Sequence, residues 1–221
     1  MKIYHLPRNI RALIFDMDLT LYTNHEYAQF QINSLVEKLG ELKGLSFSEM
    51  KREVDNSARA WELSHNGKQA SLSNIIISYG ISMEENIRWR NEIFEPQRFI
   101  KEDFKLKETL EILSRHFIIG LVTNNPVQVA RKTLAALGAE DYFPIIVGLD
   151  TCMIAKPHEK PFLEFSGLSS CLPDVCVSIG DRFDVDLDIP IKMGMGGILV
   201  DGVEDIYNLP DILLKGGSNG S

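Results

Sequence analysis

Carboxylates are the residues of this chain whose spacing most directly invites chemistry. Asp16 and Asp18 stand two apart after one apolar run, and Asp181 follows another, with Asp184, Asp186 and Asp188 close behind. Thr123 and Asn124 end a third run, and Lys156 precedes Pro157. Burying Asp16, Asp18 and Asp181 together without a counter-charge is very unfavourable. A hard divalent cation resolves that conflict, and oxygen-only ligands with no His or Cys cluster nearby point to Mg2+ rather than zinc. Lys156 adds a positive charge and a donor for a phosphate oxygen. The Thr123 hydroxyl and the backbone amides beside Asn124 would hold further oxygens near a helix amino terminus. Taken singly, each acid reads as a turn or cap residue, and 184–188 read partly as a solvated helix start. Their joint placement after successive apolar runs is what favours a site.

Those runs must be the elements that position the acids. Residues 11–15, 117–122, 144–147, 175–179 and 197–200 are short, rich in branched residues and nearly continuous, as parallel strands covered on both faces require. Helical patterns lie between them. Phe104, Leu106, Leu110 and Leu113 repeat at helical spacing, as do Val127, Val129, Ala130, Leu134 and Leu137. The second pattern predicts Asn125 as N-cap, Pro126 in the first helical position and Gly138 at the end. Alternating strands and helices give an α/β fold with a doubly wound parallel sheet, whose ligands bind beyond the carboxyl ends of the strands.

The interval from about residue 24 to residue 98 interrupts this alternation. It reads as helical around 30–39, 47–63, 72–79 and 83–94, punctuated by Gly40, Gly44, Gly67 and Gly80. A block of that length inserted after the first strand predicts a separate lobe above the strand ends, the alternative being helices packed on the sheet face. The Gly/Ser-rich end, 215–221, is expected to be disordered.

The 221 residues carry a formal net charge of -8 and 44% hydrophobic residues. That charge argues against nucleic acid or an anionic membrane as partner, though not against a small phosphorylated substrate. Cys152, Cys171 and Cys176 form no Cys-x-x-Cys pair and read as buried thiols. The apolar run at 10–15 is too short for a signal peptide and nothing approaches transmembrane length, so a cytoplasmic protein is expected.

Four segments in order now carry a resemblance. Leu13-Ile14-Phe15-Asp16-Met17-Asp18-Leu19-Thr20, Leu121-Val122-Thr123-Asn124, Lys156-Pro157, and Ser178-Ile179-Gly180-Asp181 with Asp186 resemble the four motifs of the haloacid dehalogenase superfamily of phosphotransferases. The resemblance implies a Rossmann-like core of residues 1–22 and 99–214 and a small α-helical cap over 23–98. It implies that Asp16 attacks phosphorus and forms an aspartyl-phosphate, while Asp18 protonates the leaving oxygen and then activates water. Mg2+ would be held by the Asp16 carboxylate, the Asp18 backbone carbonyl, Asp181 and waters. Asp186 would support the metal, with Asp184 as the alternative. Thr123, Asn124 and Lys156 would bind the transferring group, and Thr123 and Lys156 would stabilise its charge. Thr20 would orient the first-motif loop.

An acid at position 18 implies phosphate-ester chemistry rather than dehalogenation or phosphonate cleavage. Lys156 fits the family's lysine at the mouth of the site, and Lys160 reads as a surface residue at a helix start. The cap would set substrate choice. Its polar loop Ser64-His65-Asn66-Gly67-Lys68-Gln69 is placed to meet a leaving group or to remain a solvated turn, the latter favoured for Lys68. Tyr22, Asn24, His25 and Glu26 lie where the chain climbs towards the cap, and Trp61 and Trp89 read as cap core. The expected function is hydrolysis of a small phosphorylated metabolite, a sugar phosphate or nucleotide. A phosphomutase, or a non-catalytic binding protein on the same fold, are the alternatives.

Overall fold

A computed structural model describes residues 1–215; the Gly/Ser-rich segment 216–221 lies outside the described residues. Lys215, expected in that tail, is instead the last residue of a helix. Six strands form one sheet in the order β1-β6-β5-β2-β3-β4. They are β1 (Lys2–His5), β2 (Ala12–Phe15), β3 (Ile118–Val122), β4 (Ile145–Val147), β5 (Cys176–Gly180) and β6 (Gly196–Leu199). All neighbouring pairs are parallel except β1 on β6. Strand β2 is central, between β5 and β3, so the residues beyond Phe15 emerge in the middle of one sheet edge.

Both faces of β2 are covered, which explains its uninterrupted apolar sequence. Leu13 and Phe15 pack with Leu106, Leu110 and Leu113 of α5 (Phe104–Ser114) and with Leu134 and Leu137 of α6 (Val127–Leu137). Ala12 and Ile14 point the other way, towards Cys152 of α7 (Leu149–Cys152) and Phe162 and Phe165 of α8 (Glu159–Ser169). Each such Leu or Phe contributes about 1.5–3 kcal/mol by leaving water. Cys152, Cys171 and Cys176 are free and buried, as expected.

Helices α1 (His25–Lys43), α2 (Phe47–Ser64), α3 (Leu72–Ser78) and α4 (Met83–Ile93) fill the interval after β2. They share an apolar cluster of their own, including Leu35, Leu39, Met50, Ile76 and Trp89, and Val129 of α6 joins it. Trp89 is buried as predicted, but Trp61 is half-buried and stacks on His65 at 4.0 Å. Gly40 does not punctuate the block: it lies inside α1, where a Cβ would come within 3.3 Å of Met50 Cβ. Gly44, at φ 68°, is the residue that ends α1.

The chain after β5 forms α9 (Asp188–Lys192), α10 (Val203–Ile206) and α11 (Leu209–Lys215). Strand β1 escapes sequence reading because its four residues, Lys-Ile-Tyr-His, are exposed and contain no apolar run. It is an antiparallel edge strand, tied down by the terminal amine's pairs with Asp201 and Asp205 at 2.8 and 2.9 Å. Among the described residues no helix is long and apolar enough to cross a membrane.

Candidate active site

Asp16 is the first residue past β2 and is 5% exposed. Its Oδ1 accepts a 2.7 Å bond from Lys156 Nζ, which also donates to Asp186 Oδ1 and the Val122 carbonyl, each at 2.7 Å. An ammonium has three protons, and this one spends all three. Lys156 is thus 1% exposed at the floor of the site rather than at its mouth. Its backbone explains that depth: Lys156 N–H donates to Asn124 Oδ1 at 2.7 Å, and Asn124 Nδ2 donates back to the Lys156 carbonyl at 3.1 Å. The Lys156–Pro157 peptide is cis. The Asn124 side chain is therefore committed to holding Lys156, while the residue still lines the cavity described below. Lys160 is exposed, as expected.

Strand β5 delivers the remaining acids. Phe183–Leu187 forms a single π-helical turn that swings Asp186 back under Gly180. A Cβ at Gly180 would lie 2.5 Å from Asp186 Cβ, so only glycine allows the approach. Asp186 Oδ2 accepts from the Arg182 N–H at 3.1 Å, and the Asp186 carbonyl accepts from Ser178 Oγ at 2.8 Å. One oxygen from each of Asp16, Asp181 and Asp186 falls within 4.8 Å of the others, and Asp184 is not in that group.

Burial is the main reason that Asp16 titrates high, at about 7; Lys156 opposes it, and Asp186, Asp181 and Asp18 add to it. Burial likewise lifts Asp181 to about 6, with Asp186 adding. Oδ1 of Asp181 is buried without a hydrogen-bond partner, and Arg182 Nε is 3.9 Å away. A hard divalent cation suits such a group: all its donors are carboxylate oxygens, and among the described residues one of them accepts no hydrogen bond.

Asp18 faces a different environment. Its Oδ1 accepts from the Tyr22 hydroxyl and, at 2.8 Å, from Gln31 Nε2 of α1; its Oδ2 accepts from Asn125 Nδ2 at 2.8 Å. Burial, and then the neighbouring Asp18, keep the Tyr22 phenol protonated far above its ordinary range. Asn125 Oδ1 in turn accepts from Arg90 Nη1 of α4 at 2.8 Å. The carboxylate of Asp18 is not part of the three-acid group, and only its backbone carbonyl was expected at a metal.

Asn125 is the main departure from the sequence reading. It does not cap α6, whose N-cap position is Pro126 with no side-chain cap. Asp150 Oδ1 accepts the Val127 N–H instead, at 2.8 Å, which frees the Asn125 amide to bridge Asp18 and Arg90. Gln31 and Arg90 also escaped the sequence reading. Gln31 offered a signal, a polar residue at the helical spacing of Tyr27, Leu35 and Leu39, whereas Arg90 follows the polar Asn86 by one turn and offered none.

Thr123 is buried, and its hydroxyl accepts from the Asn125 N–H at 3.2 Å. The Thr20 hydroxyl is buried with no hydrogen-bond partner among the described residues. Backbone bonds from Thr20 and Leu21 to the Met17 carbonyl, 3.2 and 3.0 Å, shape the turn, and Leu19 adopts φ 59° within it. That left-handed conformation costs a non-glycine residue about 1–2 kcal/mol.

Of the residues expected where the chain climbs away, Tyr22 reaches Asp18, Asn24 caps α1, and His25 and Glu26 are exposed. Lys68 is partly solvent-exposed in the interhelix loop, as favoured, but it has a partner: its Nζ lies 2.5 Å from Asp188 Oδ2 at the start of α9. A cavity of about 260 Å³ lies between the strand ends and helices α1, α3 and α4, with Asp18 and Asp181 in its wall.

A family model described as haloacid dehalogenase-like hydrolase matches residues 13–200. The phosphoglycolate phosphatase of Yersinia pestis is 40% identical over 58 residues, 26% of this chain and 25% of that protein. The phosphoglycolate phosphatase of Salmonella choleraesuis is 23% identical over 210 residues, 79% of this chain and 75% of that protein. The chain spans about a quarter to a third of the length of several such curated relatives. A HAD phosphatase of Thermococcus onnurineus shares the fold at TM-score 0.61 and 20% identity, over 92% of this chain and 98% of that one.

Proposed function

The chain belongs to the haloacid dehalogenase-like hydrolases, and from that premise we propose that it is a Mg2+-dependent phosphatase of small phosphomonoesters. The observation that carries the reading is the division of labour between two acids only two residues apart. Asp16 shares Lys156 with Asp186 beside Asp181, whereas Asp18 is held by the Tyr22, Gln31 and Asn125 side chains. Acids whose surroundings differ this much take different roles.

Asp16 attacks phosphorus and carries the phosphoryl group as an aspartyl-phosphate. Asp18 gives a proton to the leaving oxygen and later takes one from water. The Tyr22 hydroxyl can either donate to Asp18 Oδ1 or accept from it, so both protonation states of the acid remain bonded. Lys156 fixes Asp16 and contributes positive charge at the phosphoryl end. Asp16, Asp181 and Asp186 would hold Mg2+, with the Asp18 carbonyl, and the cation supplies charge for the phosphoryl oxygens. The Thr123 hydroxyl binds a phosphoryl oxygen; the backbone amides on either side of Asn124, expected to do the same, already donate to the Val147 carbonyl and to the Thr123 hydroxyl. Residues 23–98 act as a cap over a core of 1–22 and 99–214, excluding water and choosing among esters. The phosphoglycolate phosphatases among the relatives support a small phosphorylated metabolite as substrate, and a cytoplasmic location is consistent with one.

The test is release of inorganic phosphate from an aryl phosphate with Mg2+, abolished by chelation. Asp16→Asn should lower turnover at least about 10⁴-fold. Retained turnover would remove Asp16 as nucleophile, and isomerisation of a sugar phosphate without phosphate release would make the protein a mutase.

A further inference from the structure

Arg90 is carried by α4 and lines the same cavity as Asp18, yet it is 6% exposed. Its Nε donates to Asn86 Oδ1 at 3.2 Å, Nη1 to Asn125 Oδ1 at 2.8 Å and Nη2 to Ser73 Oγ at 3.1 Å. All three acceptors are neutral. Among the described residues no carboxylate forms an ion pair with Arg90, and Asp18 is linked to it only through the Asn125 amide. A buried guanidinium without a counter-ion is costly, and this one stays charged at neutral pH although burial lowers it to about 10. Of its five N–H groups three are bonded, which leaves one on each terminal nitrogen. Two such donors on one planar group suit the two oxygens of an oxyanion.

The rest of the wall limits what that oxyanion belongs to. Ile32, Leu35 and Leu72 form an apolar patch beside Arg90, and the polar wall residues Gln31, Ser73, Asn125 and Asp18 are already joined by hydrogen bonds to one another or to Arg90. We infer that Arg90 anchors an oxyanion subsite, so that the substrate is a short phosphoester whose leaving group carries its own carboxylate or second phosphate. The inference rests on the phosphatase reading, and it narrows the small phosphorylated metabolite expected from sequence to one whose leaving group carries a second anionic group. Arg90 then selects the substrate through its far end, opposite the phosphoryl group that reacts at Asp16.

Three esters of similar size test this in the wild-type protein with Mg2+: phosphoglycolate, ethylene glycol monophosphate and ethylene glycol bisphosphate. One of the two anionic leaving groups should exceed the neutral one in kcat/KM by about 10- to 100-fold, as a charge-assisted pair requires. Preference for phosphoglycolate identifies a carboxylate, and preference for the bisphosphate identifies a phosphate. Equal kcat/KM on all three overturns the subsite while leaving the phosphatase reading intact. In Arg90→Gln the preference should collapse, whatever happens to absolute turnover; an unchanged preference makes Arg90 a strut between helices and also overturns it. A binding measurement needs neither turnover nor a folded variant. By calorimetry, phosphonopropionate should bind the wild type about 10- to 100-fold more tightly than propylphosphonate. If no ester is hydrolysed the phosphatase reading fails, and this pair of ligands still decides the subsite, equal affinities counting against it.

Discussion

The two ends of the site are built from opposite materials. At the phosphoryl end, Asp16, Asp181, Asp186 and Lys156 are formally charged, and all come from strand ends or the loops that follow them. At the leaving-group end, Asp18 is met by a phenol and two amides, and Gln31 and Arg90 come from inserted helices. Charge concentrated on rigid strand ends suits a reaction that is the same for every phosphoester. A neutral Gln31 and a charged Arg90 on a separate block of helices suit selection of the group that leaves, since those helices can vary without disturbing the sheet.

The largest effect that separates the two ends is expected from Asp18→Asn, which keeps size and most hydrogen bonds but removes the transferable proton. On an alkyl phosphate kcat/KM should fall about 10²- to 10⁴-fold. On an aryl phosphate the loss should be smaller, because a nitrophenolate departs without a proton and kcat/KM reports the step in which it leaves. Equal losses on the two esters would mean that Asp18 does not serve the leaving group, and the comparison would break there.

Lys156→Met probes the other end. It deprives Asp16 and Asp186 of their shared counter-charge at 2.7 Å, which should destabilise the protein by about 3–5 kcal/mol in chemical denaturation. Mg2+ should then raise the melting temperature more in the variant than in the wild type, because the cation meets a more negative site. An equal Mg2+ increment in both proteins would show that the three acids do not bind it.

Much of the charged end was legible in the sequence, and the reason is topological. A parallel strand buried on both faces must be continuously apolar, so its end is announced by the first acid, as at Phe15-Asp16 and Gly180-Asp181. Sequence did not reveal depth: Lys156 lies at the floor because Asn124 clamps its backbone across 32 positions of chain. The preference for Asp186 over Asp184 followed a motif, but its physical cause is the space left by Gly180. The other end was largely hidden. Gln31 and Arg90 reach Asp18 and Asn125 through the packing of helices, which no local pattern encodes. Asn125 had a sufficient local explanation as a helix cap, and only Asp150 accepting the Val127 N–H shows that the explanation is wrong. Strand β1 was missed because exposed edge strands lack the continuous run by which the others were found.

A smaller, graded effect should appear in stability against pH. An unfolded Asp gives up its proton near 3.8, whereas burial holds Asp16 to about 7 and Asp181 to about 6. Between about pH 4 and pH 7 the folded chain therefore binds more protons than the unfolded one. Stability in chelator should fall as pH rises through that window, by up to about 1.4 kcal/mol per pH unit for each group, and level off above it. The acids held low, Asp188, Asp205, Glu49 and Glu85, oppose this slope only near the bottom of the window, where their unfolded counterparts still carry protons. Mg2+ should flatten the curve by favouring the ionised carboxylates. Stability that rises with pH in chelator would mean that the charged end is already neutralised by Lys156 and needs no cation.

The smallest effect concerns how the two building materials are joined. Lys68, in the loop after α2, reaches Asp188 at 2.5 Å, and Asp188 also pairs with Lys192 at 2.9 Å. The Lys68 side chain is 41% exposed, so salt and solvent screen the pair and its loss should leave the melting temperature within error of the wild type. If the contact nonetheless biases the helices towards the strand ends, Lys68→Ala should raise KM by about twofold and leave kcat alone, since a population shift of that size is all a screened pair supplies. Adding salt to the wild type should reproduce the shift, and salt should then do little to the variant. A KM that moves with salt equally in both proteins would assign the dependence to substrate charge, and would leave the Gln31–Asp18 and Arg90–Asn125 bonds and the packing of Val129 as what joins the two ends.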